Sequence, residues 1–190
     1  MMNASSITSG NTVLNALAKG VCPICSLVRA FQNELIEHLH PDDAANVCNY
    51  HAWAIAASAP AHSVAEVFLA MLRGVGREES SKGHSCDVCS TIREHEVTRL
   101  RELATEMRRT RFAQWLEQHG TLCHFHAASL QAMVPEEHAR IVTKVMRNNQ
   151  RQLEELLESF AAKARRGEHA GGGVLGRAAE FLVAQRGLTR

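Results

Sequence analysis

Long apolar runs and an excess of one charge are both missing from this 190-residue sequence. Basic residues number 21 and acidic residues 20, so the formal net charge is +1. No global field therefore favours nucleic acid, an anionic membrane or acidic substrates. No apolar stretch reaches the length of a membrane span, and Met1 to Gly20 lacks the basic start and apolar core of a secretory signal. These absences predict a soluble, cytoplasmic protein that does not associate with membranes.

Recognisable catalytic motifs are missing too. The chain has no glycine-rich phosphate loop, no defensible Ser, His and Asp order, and no paired carboxylates in an apolar setting. This favours a non-enzymatic protein. The arginines between positions 99 and 111 are interleaved with Glu102 and Glu106. This pattern is typical of a solvated helix face, so nucleic-acid binding is not expected.

No cysteine is left outside a motif. The six cysteines fall in two copies of one pattern, in which Cys-x-x-Cys is followed by Cys-x-x-His. Three thiols and one imidazole per copy form a four-ligand set suited to tetrahedral Zn²⁺. In a reducing compartment, cysteine pairs indicate metal or redox chemistry more often than structural disulfides. We therefore predict two zinc sites, with the ligands Cys22, Cys25, Cys48, His51, Cys86, Cys89, Cys123 and His126.

The spacing within each motif suits a metal because two residues three apart at a helix start lie on one turn. The helix N-terminus also stabilises thiolate over thiol. Three thiolates and Zn²⁺ leave about one net negative charge. Arg29 and Arg93 lie one turn beyond a motif cysteine and could offset that charge from outside the ligand set, although an exposed helix face explains them equally well. A closed four-ligand site is typically structural, since catalysis needs an open coordination position.

Other chemistry remains open for the same residues. Three cysteines and a histidine can also hold an iron–sulfur cluster. Cys22 and Cys25 at a helix N-terminus are typical of a reactive thiol pair. The alternative function is therefore an iron–sulfur or thiol redox and electron-transfer protein. His84 and His124 lie beside the motifs and could replace a ligand, but the alignment of the two copies favours His126.

Helical periodicity predicts an all-α fold. From Ile24 the apolar residues recur at steps of three and four, and the run stops at Pro41. Further helices are expected at Cys48–Ala59, Ser63–Arg73, Glu136–Arg165 and Arg177–Gln185, and the span Val88–Gln118 is expected to be helical with a break. Trp53 and Trp115 are expected in the core.

The two copies share more than their ligands. Serine follows each Cys-x-x-Cys, and proline follows each motif histidine by nine residues. This register predicts a duplicated three-helix unit with a Cys3His metal site at helix N-termini in each copy. The predicted organisation is a leader with a short helix at 1–20, repeats at 21–74 and 86–165, a linker at 75–85, and a glycine-rich linker with a short helix at 166–190.

The second copy has 11 more residues between its ligand pairs than the first. A straight helix from Val88 to Gln118 would be about 45 Å long and could not return Cys123 to Cys86. A site within each copy therefore requires a break, which we place between Ala104 and Thr110, with Thr105 or Thr110 as the cap. An unbroken helix would force the ligands to pair between copies.

The motif order resembles an uncharacterised bacterial family of helical proteins with duplicated Cys-Pro-x-Cys and Cys-x-x-His motifs. The resemblance covers roughly Val21 to Phe160 and is strongest at Cys22-Pro-Ile-Cys25 and at Cys48-Asn-Tyr-His51-Ala-Trp53. This chain lacks a glycine before Cys48 and a proline in the second Cys-x-x-Cys. The resemblance implies a helical fold and a bound metal but no reaction. We therefore expect a non-enzymatic zinc-binding protein that contacts a protein partner or a second copy of itself.

Overall fold

The computed structural model describes residues 21–40, 47–74, 86–168 and 173–183. Within these ranges the chain is all-helical, which confirms the predicted fold class, and none of the helices has the length and apolarity of a membrane span. The helices are α1 (Pro23–Glu37), α2 (Asn49–Ser58), α3 (Ala61–Gly74), α4 (Asp87–Met107), α5 (Thr110–His119), α6 (His124–Gln131), α7 (Glu136–Arg165) and α8 (Gly173–Val183). The predicted leader, the linker at 75–85 and His84 lie outside the described residues.

The described chain divides into two compact units. The first unit contains the described residues of Val28–Val97, and the second contains those of Asn11–Leu27 and Thr98–Arg186. Helices α1 and α4 therefore each begin in one unit and continue in the other. These limits differ from the sequence repeats at 21–74 and 86–165. The duplication of a three-helix unit stays a prediction.

The first unit contains most of α1, the helices α2 and α3, and the start of α4. The apolar face predicted for α1 is buried, since Val28, Phe31, Leu35 and Leu39 are all at most 7% exposed. The ring of Phe31 stacks on His95 of α4, with centroids 3.9 Å apart. Helix α2 packs on α3, and only His51 and Ile55 of α2 are buried. Most of the buried apolar residues of this unit therefore lie on or beside α1 and α4.

The second unit is organised around the 30-residue helix α7, whose predicted bounds are confirmed. Helices α5, α6 and α8 all pack against α7, and α8 also packs against α6. Val142, Val145 and Asn149 of α7 are buried at the spacing of one helical face. The C-terminal helix α8 therefore packs back on its own unit, and it begins four residues before the predicted Arg177.

The predicted break in the second copy is confirmed, because α4 ends at Met107 and α5 begins at Thr110. The amides of Arg108 and Arg109 donate to the carbonyls three residues earlier, which tightens the end of α4. The predicted threonine cap is wrong. Arg109 occupies the N-cap position of α5 in an extended conformation, without a side-chain hydrogen bond.

The two tryptophans were expected in the core, and this expectation is wrong. Trp53 of α2 is 72% exposed and Trp115 of α5 is 38% exposed. Helix α2 is apolar on most sides and buries little of its surface. Its sequence therefore gives no periodic signal that could show which side faces the core.

Candidate metal centres

Each of the four motifs forms the start of a helix. The first cysteine of each motif immediately precedes a helix, and its carbonyl accepts the first helical hydrogen bond, at 2.9–3.0 Å. These four cysteines are Cys22 before α1, Cys48 before α2, Cys86 before α4 and Cys123 before α6. The second ligand of each motif is then the third residue of its helix. Both side chains therefore lie beside the backbone N–H groups that a helix start leaves unpaired.

The first cluster combines the starts of α1 and α6 and lies entirely in the second unit. His126 Nδ1 lies 3.4 Å from Cys22 Sγ, 3.3 Å from Cys25 Sγ and 3.1 Å from Cys123 Sγ. Cys25 Sγ and Cys123 Sγ are 3.7 Å apart. All four residues are at most 3% exposed. We call this cluster the buried site (Cys22, Cys25, Cys123, His126).

The second cluster combines the starts of α2 and α4 and lies entirely in the first unit. His51 Nδ1 lies 3.4 Å from Cys48 Sγ, 3.5 Å from Cys86 Sγ and 3.3 Å from Cys89 Sγ. Cys48 Sγ and Cys89 Sγ are 3.8 Å apart. His51 and Cys86 are buried, but Cys48 and Cys89 are partly exposed. We call this cluster the open site (Cys48, His51, Cys86, Cys89).

Both clusters have the dimensions of a single-ion site. With metal–sulfur bonds of about 2.3 Å and metal–nitrogen bonds of about 2.05 Å, a tetrahedral site has S···S edges of about 3.8 Å and S···N edges of about 3.5 Å. The measured S···S separations of 3.7 and 3.8 Å match the first value. The S···N separations of 3.1–3.5 Å approach the second. The residues therefore fit one tetrahedral ion per cluster, with histidine offering Nδ1.

The pairing of the motifs corrects the sequence prediction. The eight predicted side chains do form two groups of three cysteines and one histidine, but each group takes one motif from each copy. The expectation of one site within each copy is therefore wrong. A broken α4–α5 region was a condition for closing a site within the second copy. The break is present, yet Cys123 joins Cys22 and Cys25 instead of Cys86.

Thiol ionisation in the metal-free clusters is uneven. At Cys22, burial raises the pKa, but hydrogen bonds from Cys123, Cys25 and His126 outweigh it and lower the pKa. The pKa of Cys25 is raised, because its hydrogen bonds to Cys123 and Cys22 stabilise its thiol form and it is buried. In the open site, burial and neighbouring thiols raise the pKa of Cys89 to about 12. Close thiols cannot all ionise together unless a cation offsets their charge.

Two further groups of the open site, Cys48 and His51, have lowered pKa values. At Cys48, burial raises the pKa, but hydrogen bonding from the His51 backbone and from Cys86 and Cys89 lowers it overall. Burial lowers the pKa of His51, which favours the neutral imidazole. A metal requires a neutral ring and deprotonated thiols, and both of these shifts favour those protonation states.

The backbone contributes positive charge at both sites. Each helix N-terminus carries about +0.5 elementary charge, so the two helix starts at a site offset the net negative charge of three thiolates with a divalent ion. The side chains of Arg29 and Arg93 are exposed, and their predicted role outside the ligand sets stays a prediction. His124 is also exposed and belongs to neither group.

Two residues that support the buried site were missed at the sequence level. Asn149 Nδ2 donates to the carbonyl of Leu122, which directly precedes Cys123, at 3.3 Å. A Cβ on Gly120 would lie 2.4 Å from the Leu116 carbonyl oxygen, so glycine permits the close turn between α5 and α6. The sequence holds a weak signal for each: an asparagine on the apolar face of α7, and a glycine after the α5 pattern.

No family model, no curated protein and no solved structure matches this chain.

Proposed function

We propose that this chain is a non-enzymatic protein that binds two zinc ions, each of which holds two helix starts together. The observation that carries the proposal is that three sulfurs surround one imidazole Nδ1 in each cluster at the spacing of tetrahedral edges. Zinc prefers sulfur and nitrogen ligands in this geometry. We also propose that the chain belongs to the uncharacterised bacterial family that its motifs resemble.

The spacing favours a single ion over an iron–sulfur cluster. The four ligands of a cluster are divided between two or four iron atoms, so the irons and sulfides of the cluster hold some of the ligand atoms far apart. In each group, by contrast, all four ligand atoms lie within 4.8 Å of one another. Four protein ligands also leave no coordination position for a substrate, which supports a structural role for the ion.

Elemental analysis tests this proposal directly. Protein purified without added metal should contain about two zinc ions per chain, and it should be colourless. A brown product that contains iron and sulfide would support the alternative cluster instead. The variant Cys123→Ser should lose about one zinc ion per chain, because it removes one ligand from the buried site and leaves the open site complete.

A thiol redox function based on Cys22 and Cys25 is less well supported. Both residues are buried, at 3% and 0% exposure. Reactive thiols need access to their substrate. In metal-free protein that remains folded, alkylation by iodoacetamide should therefore be slow at these two cysteines. Fast alkylation of either one would favour the redox alternative.

We also propose that the chain contacts a protein partner or a second copy of itself, in the reducing environment of the cytoplasm. Helices α2 and α3 expose four large apolar side chains, Tyr50, Trp53, Leu69 and Leu72, at 42–72%. Exposed aromatic and apolar side chains are typical of protein interfaces. Sedimentation equilibrium tests self-association. The mass should rise with concentration, and Trp53→Ser should reduce that rise, whereas Trp115→Ser should not.

A further inference from the structure

The two sites contain matched cysteine pairs that differ in exposure. In the open site, Cys48 Sγ and Cys89 Sγ lie 3.8 Å apart, and both residues are partly exposed. In the buried site, the equivalent helix positions are those of Cys123 and Cys25, whose sulfurs lie 3.7 Å apart. These two residues are 2% and 0% exposed. The distance between the two sulfurs is thus almost the same in both sites, and the sites differ in how far solvent reaches these cysteines.

Access matters because an oxidant must reach a sulfur before any covalent step occurs. Thiolate character and exposure together set how fast a cysteine reacts with peroxide. Spacing then sets what happens next. A disulfide bond is about 2.05 Å long, so the two sulfurs of the open site must approach by less than about 2 Å. The partly exposed pair Cys48 and Cys89 therefore combines access for the oxidant with a spacing that allows a disulfide.

The histidine of the open site is also held by fewer hydrogen bonds on its ring than the histidine of the buried site. Among the described residues, His51 Nε2 is buried and has no hydrogen-bond partner, whereas neither ring nitrogen of His126 is in that position. Metal-binding histidines usually donate their second N–H to an acceptor, and loss of that acceptor commonly lowers metal affinity by about 10–100-fold. This observation is independent of cysteine exposure and identifies the same site as the more labile one.

We propose that Cys48 and Cys89 are an oxidation site for hydroperoxides, which convert the pair to a disulfide and release the ion of the open site. The proposal rests on the proposed zinc binding. It assigns redox chemistry to Cys48 of a Cys-x-x-His motif and Cys89 of a Cys-x-x-Cys motif, instead of to Cys22 and Cys25. The buried site retains its ion under the same conditions.

The chemistry balances with hydrogen peroxide as the oxidant. One thiolate sulfur attacks a peroxide oxygen, the O–O bond breaks, and hydroxide leaves while the cysteine becomes a sulfenic acid. The second thiolate attacks that sulfur, the S–S bond forms, and the S–O bond breaks with loss of a second hydroxide. Two electrons pass from the two sulfurs to peroxide, and two protons from solvent convert both hydroxides to water. Cys86 and His51 remain as two ligands, too few to retain the ion.

The experiment treats the zinc-loaded full-length protein with hydrogen peroxide in small molar excess. Released zinc is followed with a coloured chelator, and the intact mass and the disulfide-linked peptides are determined by mass spectrometry. One zinc ion per chain should be released ~10-fold or more faster than the other, because access governs the first step. The first linked peptides should contain Cys48 and Cys89, while Cys25 and Cys123 remain unmodified.

Matched variants separate this site from its buried counterpart. Cys48→Ser removes a ligand of the open site, so this variant should contain about one zinc ion per chain, and peroxide should release that ion in the slow phase only. Cys123→Ser, at the equivalent helix position, should leave the fast phase in place. If Cys123→Ser does not fold, peptide mapping of the oxidised wild-type protein still decides between the two pairs.

Three results would overturn the inference: release of both ions at one rate, a first disulfide formed by Cys22, Cys25 or Cys123, or a first disulfide between Cys86 and Cys89. Each leaves the proposed zinc binding intact. Fewer than about two zinc ions in the untreated protein would instead contradict the proposed function, and the release step with it.

Discussion

The buried site and the open site have the same ligand types at the same helix positions, but the protein surrounds them differently. In the buried site all four residues are excluded from solvent, and α6 has three buried residues: His126, Ala127 and Leu130. In the open site two cysteines are partly exposed, and α2 has only two buried residues: His51 and Ile55. The ligand set therefore determines which ion fits, whereas the surrounding packing determines how readily that ion is reached.

Stepwise removal of metal should give the largest difference between the two sites. A strong chelator should extract the ion of the open site first, with a small loss of helical circular dichroism. Extraction of the ion of the buried site should need a higher chelator concentration and should give a larger loss of helical circular dichroism. Binding free energies of structural zinc are on the order of 10 kcal/mol, so this second step is large. Loss of both ions in one step would remove the distinction.

Matched ligand variants should give the next largest effect. Cys123→Ser should lower the free energy of unfolding of the zinc-loaded protein by about 3–5 kcal/mol, because it breaks a fully buried charged cluster. Cys48→Ser should cost about half as much, since water can reach the ligands that remain. Urea denaturation of both variants measures the difference. Equal losses would show that exposure does not separate the sites.

The turn before Cys123 offers a test at the buried site alone. Gly120→Ala should lower the free energy of unfolding by about 1–3 kcal/mol, because the new Cβ would lie 2.4 Å from the Leu116 carbonyl oxygen. It should also speed zinc loss from the buried site and leave the open site unchanged.

Gly176→Ala in α8 is the control for that substitution, since its Cβ would meet nothing within 4 Å. It should raise stability by about 0.5–1 kcal/mol through helix propensity. Thermal unfolding of both variants gives the comparison, and a neutral Gly120→Ala would show that the turn can relax.

A final test of the open site concerns pH. In the metal-free open site, Cys89 has its pKa raised to about 12, so it holds its proton at neutral pH. Zinc must displace that proton, and a higher pH weakens the competition. The zinc affinity of this site should therefore rise by roughly tenfold per pH unit for each displaced proton between about pH 6.5 and 7.5. Chelator competition at several pH values measures the slope, and a flat profile would contradict the raised pKa.

Local features of this chain could be predicted because they depend on local spacing. Val28, Phe31 and Leu35 form the buried face of α1 since they recur with the helical period. The bounds of α7 and the break before Thr110 also follow from nearby residues. Asn149 was missed because its role depends on Leu122, which is 27 residues away and which no local period encodes. Gly120 was missed because its role depends on the close approach of the Leu116 carbonyl, which the residue types alone do not show.

The sequence by itself determined the eight residues that converge and the four helix starts that present them. A ligand at the N-cap and another at the third helical residue lie together whatever the rest of the chain does. The tertiary structure alone decided which helix starts face each other. All four starts have the same ligand spacing, so the ligands themselves do not distinguish the start of α6 from that of α2 as the partner of Cys22 and Cys25. Packing of long-range neighbours made that choice, and it also left Cys48 and Cys89 within reach of solvent.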